Sequence, residues 1–167
     1  MLKIIKSLIL SVVISVSANA VTLDLAPKLL KDNAGLVYIG YDVPTSALTP
    51  YLNRLESILG SKAFKRYRGA QVKRDHHSFH ITLINPYEYP DIKSIDLSSL
   101  GSVSFELVGL GRGSNNQDST YFVVVTSVQA QKIRAKYQLK PKDFHSTLGF
   151  DQADVFAVDK GLNSLIK

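Results

Sequence analysis

The chain has 167 residues, 45% of them hydrophobic, with a formal net charge of +6 and no cysteine. That is about the size of one domain and enough to bury a real core. The missing cysteines exclude a disulfide framework, so stability must come from packing alone. The modest positive charge is compatible with a phosphate-bearing or polyanionic partner, and equally with a plain soluble basic protein.

Residues 1–20 begin with Lys3 and Lys6, continue in an apolar run over residues 8–16 and end in Ala18-Asn19-Ala20. This is the three-part layout of a secretory signal peptide. The run is shorter than the ~20 apolar residues a bilayer span needs, so cleavage is expected rather than anchoring. The expected mature chain is residues 21–167, exported to a periplasm or secreted, with no stable membrane association after cleavage. Removing Lys3 and Lys6 lowers its net charge to +4.

Residues 36–41 (LVYIGY) are aromatic and β-branched and predict a buried strand. A helix follows over residues 45–59, capped by Thr45. Leu48, Leu52, Leu55 and Leu59 lie on one face, and Gly60 stops it. Basic residues cluster between Lys62 and Arg74, with Phe64 and Tyr67 among them. This mix fits a phosphate-tracking loop with a stacking ring, although a solvated face is the commoner reading. Residues 77–85 predict a strand closed by Asn85-Pro86. Residues 105–110 predict another, ending in a turn over Gly111-Arg112-Gly113-Ser114-Asn115-Asn116.

Residues 121–126 are nearly unbroken β-formers. Residues 128–139 predict a second helix with Val128, Ile133 and Tyr137 on its inner face. Residues 144–150 predict the last clear strand, and residues 154–166 a short helix. The whole implies an α+β fold: one bilobal domain of two pseudo-symmetric β-α-β lobes, with antiparallel sheets facing a central cleft.

Each half ends on a strand bearing the same pattern, His80-Ile81-Thr82-Leu83 and His145-Ser146-Thr147-Leu148, 65 positions apart. With four histidines and seven threonines in the chain, two such coincidences have odds of about 1% by pattern counting. Strand side chains alternate faces. His80 and Thr82 therefore share a face with Ser78 and His76, opposite Phe79, Ile81 and Leu83. His145 and Thr147 share a face with Asp143 and Gly149, opposite Phe144, Ser146, Leu148 and Phe150. Each strand has an apolar side for a helix and a polar side for something else.

The residue types suit one chemistry. Cleaving a phosphodiester requires one group to take a proton from the nucleophile and another to give one to the departing oxygen. Histidine titrates near neutrality, so one neutral and one protonated imidazole serve both steps. Each threonine hydroxyl can hold a non-bridging oxygen as charge develops. No metal is demanded.

The paired motifs resemble those of the two-histidine (2H) phosphoesterase superfamily, which includes cyclic nucleotide phosphodiesterases, RNA-end processing enzymes and 2′,5′-oligoadenylate-cleaving enzymes. The resemblance spans residues 36–150, and residues 105–112 (FELVGLGR) are similar to the strand such proteins carry between the motifs. It implies a cleft between lobes, His80 and His145 as acid and base, Thr82 and Thr147 on the phosphate, and no obligatory cofactor. By family analogy His145 would activate water and His80 would protonate the leaving ribose oxygen, although the reverse would not contradict the sequence. The implied substrate is RNA, an oligonucleotide or a cyclic nucleotide; the protein is expected to be a monomer. The competing reading is a non-catalytic exported module that binds a nucleotide or oligonucleotide in the same groove.

Other candidate substrate contacts are less distinctive. Tyr87 and Tyr89 follow the first motif, where a loop could present a ring to a nucleobase; packing beside Pro86 and Pro90 is an equal alternative. Arg112, in its glycine-flanked turn, and on thinner grounds Lys160 are candidates for a second phosphate, although a plain exposed loop arginine is the commoner reading. Asp143 is a candidate to orient His145, although it stands ~7 Å along the strand and a water-exposed aspartate is the commoner reading. His76 is a candidate at the cleft rim. On a strand His76 and His80 would stand ~13 Å apart, too far for one zinc ion.

Overall fold

The computed structural model describes residues 21–167; the expected signal peptide lies outside the described residues. Seven strands and three helices follow one another as β1 (Val21–Leu25), β2 (Lys28–Lys31), β3 (Val37–Asp42), α1 (Thr45–Leu59), α2 (Ser61–Asp75), β4 (His80–Ile84), β5 (Val103–Ser114), β6 (Ser119–Thr126), α3 (Val128–Lys136) and β7 (Phe144–Phe150). They build two antiparallel sheets, ordered β1-β5-β6-β7 and β2-β3-β4. The expected bilobal α+β domain is therefore the observed one. Its halves interlock: α1 packs on β5 and β6, α2 packs on β7, and α3 touches both β4 and β5. β1 also crosses over to edge the sheet built by the second half.

α1 has the expected bounds, with Leu48 and Leu55 fully buried. Thr45 is its first helical residue and not its cap; Pro44 holds the cap position in extended backbone. Gly60, at φ 73, ends α1 and starts α2 in one residue, a conformation open to glycine at little cost. The expected basic loop over residues 62–74 is helix α2. Its buried positions are Tyr67, Gln71 and Asp75, a helical repeat of mostly polar residues that an apolar periodicity does not reveal.

Four further expectations are corrected. His76 (φ 51) caps α2 in the left-handed conformation and His77 (φ 67) continues the turn, so β4 begins only at His80 and His76 is not on its face. Of the expected turn at residues 111–116, only Asn115 and Asn116 belong to the turn, and residues 111–114 are the end of β5. Its Gly109, Gly111 and Gly113 leave room that a Cβ would deny to Leu165, Ser164 and Val158. The C-terminal segment packs there, with Leu165 bridged to Gly111, and is irregular except for one short 3-10 turn, Leu162–Ser164. At α3 Ile133 and Tyr137 pack against the core as expected, but Val128 is exposed and the fully buried residues are Ala130 and Arg134.

The two motif strands, β4 and β7, are the edges of their respective sheets and lie against each other without a shared ladder. Their edge carbonyls need partners from elsewhere. Arg134, 1% exposed, donates to the Leu83 carbonyl at 2.6 Å and, at 2.7–2.9 Å, to the Lys140 carbonyl just before β7; it also pairs with Glu88 at 2.7 Å. At the other end Arg68 of α2 donates to the Leu148 carbonyl at 2.7 Å and lies over the Phe79 ring. Gln71 donates to the Ser78 carbonyl at 2.8 Å.

Removing the Arg134 guanidinium leaves Glu88, the buried Leu83 carbonyl and the Lys140 carbonyl short of a partner. Arg134→Leu should therefore destabilise the protein by about 3 kcal/mol, measured by urea unfolding. Arg112→Leu, on the exposed face of β5, should change stability by less than about 0.5 kcal/mol.

Candidate active site

Between the two sheets lies a cleft of about 580 Å³ whose lining includes His80, Thr82, His145 and Thr147. Strand parity placed them there: Ile81 and Leu83 on β4, with Phe79 just before it, are buried, and so are Phe144, Ser146 and Leu148 on β7. The four named side chains thus converge from two separate sheets on one space.

Each imidazole rests against an aromatic ring of the next strand. His80 lies 5.1 Å from the Tyr38 ring of β3, and His145 lies 5.5 Å from the Phe122 ring of β6. Burial against these surfaces disfavours the imidazolium and pushes both rings below the ordinary histidine range. His145 Nδ1 is 3.0 Å from the Asp143 carbonyl oxygen. A carbonyl only accepts, so Nδ1 carries the proton and Nε2 keeps a lone pair. Asp143 thus meets this ring through its backbone carbonyl and not its carboxylate.

Below the histidines runs a chain of buried ion pairs. Asp75 and Arg74, both at the end of α2, pair at 2.6 Å; Arg74 also pairs with Asp154 at 2.5 Å, and Asp154 with Lys160 at 3.1 Å. All four line the cleft. Lys160 is additionally held 5.7 Å from the Phe122 ring centroid. Burial opposes the charge on Asp154, but Lys160 and Arg74 outweigh it and hold the carboxyl below its usual range. Burial pushes Lys160 down.

The sequence candidates divide cleanly. Tyr87, Asp143 and Lys160 line the cleft, with Tyr87 83% exposed. Tyr89 does not; it packs edge-on against Tyr137. Arg112 sits on β5, donating to Ser119 Oγ at 3.0 Å and lying over Tyr121. His76 is exposed at the α2 terminus, outside the lining. Among the described residues no group of three His, Cys, Asp or Glu side chains is placed to hold a metal ion. The residues that sequence reasoning missed are Tyr38, Asp75, Lys142 and Asp154, and it had Arg74 only as the end of a basic loop. A helical reading of residues 61–75 would have shown Arg74 and Asp75 at a helix end. No local pattern marks Asp154, which lies in irregular backbone.

A family model described as the Swiss Army Knife, 2H phosphoesterase domain matches residues 46–156. The match covers more than half of the chain, and the chain belongs to the 2H phosphoesterase superfamily. Its function is of the phosphodiesterase type. No curated protein and no solved structure matches it.

The burial of His80 and His145 has a consequence for stability. Their folded pKa values lie below the unfolded one, about 6.5. As pH falls through that value the unfolded chain takes up protons first, so this part of the stability is lost toward acid. Urea unfolding should give a falling free energy between about pH 7 and pH 5, with a shallower slope in His145→Asn.

Proposed function

We propose that this 2H phosphoesterase cleaves phosphodiesters without a metal cofactor, acting on a cyclic phosphate or on a 2′,5′- or 3′,5′-linked RNA-type oligonucleotide. The observation that carries this reading is the convergence of both His-x-Thr pairs on one cleft from the edges of two different sheets. A scissile phosphorus held between the strands has one imidazole on each side. That is the placement in-line displacement needs.

With a 2′,3′-cyclic phosphate the steps balance simply. One imidazole takes a proton from water as its oxygen bonds to phosphorus. The bond to one ribose oxygen breaks, and the other imidazole protonates that oxygen. The product is a phosphomonoester, and proton exchange with solvent returns the histidines to their starting states. Thr82 and Thr147 donate to the non-bridging oxygens as charge builds on them. Tyr87, at the cleft mouth, offers a ring on which a nucleobase can stack. The protein would work as a monomer outside the cytoplasm, the site of action that the signal-like residues 1–20 support.

His80→Ala and His145→Ala should each lower kcat/KM by about 10³-fold or more, and Thr82→Ala or Thr147→Ala by about 10²-fold. EDTA should have little effect. The assay is turnover of uridine 2′,3′-cyclic phosphate and of a 2′,5′-linked oligoadenylate. Wild-type rates in the double His→Ala variant would overturn the proposal. Binding of these compounds with no product from wild type would favour a non-catalytic module instead.

A further inference from the structure

The two motifs are near copies, yet acid–base cleavage needs their histidines to differ at the moment of reaction. The difference lies in the ion-pair chain beneath them. Its order is Asp75, Arg74, Asp154, Lys160, so the signs alternate and the ends are opposite: a carboxylate at one end and an ammonium at the other. The carboxylate end lies on the His80 side. Asp75 closes α2 five residues before His80, and its carbonyl accepts from the Ser78 amide and hydroxyl. The ammonium end lies on the His145 side, where the Phe122 ring contacts both Lys160 and His145.

The structure assigns to this charge chain the division of labour between the histidines. Its carboxylate end favours a proton on His80, the general acid, and its ammonium end disfavours one on His145, the general base. Asp75, Arg74, Asp154 and Lys160 are then positioning residues, acting through the imidazoles. The inference rests on the phosphodiesterase reading of the cleft.

The other charges around each ring do not cancel the effect. His80 faces Asp75 and Arg74 from α2, Asp42 from β3 and Asp154 from the C-terminal segment. Burial is the largest influence on it, and Asp75 is the strongest of the charges, in the raising direction. His145 faces Lys160 and Asp154 from the C-terminal segment and Lys142 from the loop before β7. Burial again leads, and Lys160 is the strongest of the charges, in the lowering direction. The Nδ1 bond to the Asp143 carbonyl works the other way on the charge, by less than Lys160 does, and fixes the tautomer that leaves His145 Nε2 as an acceptor. A substrate phosphate adds negative charge near both rings, and His80 is the one whose protein partners reinforce it.

The test is the pair Lys160→Met and Asp75→Asn, with Lys160→Arg as the conservative control. NMR titration of the two imidazoles reads the effect without substrate. The pH profile of kcat/KM on uridine 2′,3′-cyclic phosphate reads it in turnover. Lys160→Met should raise the His145 midpoint by about one pH unit and carry the acidic limb of the profile upward. His80 should move much less, and Lys160→Arg should restore wild-type values. Asp75→Asn should lower the His80 midpoint and carry the alkaline limb downward. Equal movement of both rings, or of neither, in Lys160→Met overturns the inference, and that variant decides the matter alone if Asp75→Asn does not fold. Selective NMR shifts in a protein that turns over no phosphodiester would leave the charge chain standing and sink the functional reading instead.

Discussion

Two sheet edges meet in this protein without zipping together, and the rest of the structure answers to that. β4 and β7 each have one hydrogen-bonded neighbour and one open side, and the open sides face each other. Left bare, such edges would either pair into one continuous sheet and close the cleft or strand their carbonyls away from water. Arg134 at one end and Arg68 with Gln71 at the other take up the Leu83, Leu148 and Ser78 carbonyls. Side chains thus replace a ladder at the ends, and the cleft that holds His80 and His145 stays open between them. A guanidinium suits this role because its planar fork offers several donors at fixed angles, which one ammonium does not.

The same helix that secures one end also supplies the site. α2 carries Arg68 and Gln71 toward the edge carbonyls and Arg74 and Asp75 toward the cleft, all within two turns. Gly149 lets it come close: a Cβ there would meet the Tyr67 backbone at 3.0 Å. A helix whose inner face is polar gains little from apolar burial, and its docking instead uses directed hydrogen bonds to β7 and to the turn before β4. Fold and chemistry therefore share residues, which couples the geometry of the strands to the charges under the histidines.

Pairwise symmetry of the motifs is broken by what is not symmetric. Each histidine has its aromatic neighbour on the adjoining strand, Tyr38 for one and Phe122 for the other. The ion pairs belong to no repeat: two members come from α2 and two from the irregular segment after β7. A row of alternating charges keeps its sum at zero, so its burial costs less than that of unpaired ions. Its field is still directional, because one end is anionic and the other cationic.

The sequence alone determined whatever rests on local periodicity. α1 was legible from four leucines at helical spacing, β6 from a nearly unbroken run of β-formers, and the choice of His80, Thr82, His145 and Thr147 from strand parity, because the pleat fixes which side chains share a face whatever the strand packs against. It failed where neighbours distant in sequence decide the conformation. α2 hides behind a polar inner face that only β7 and the turn before β4 make sense of, and the β5 glycines read as a turn because the C-terminal segment they accommodate is 45 to 56 residues away. Arg112 and His76 carry the right chemistry, but tertiary structure left them outside the cleft and brought in Arg74, Asp75 and Asp154. A side chain's type is written locally, while its distance to a given histidine is a property of chain crossings, and those were set by the two sheet edges and the arginines that hold them apart.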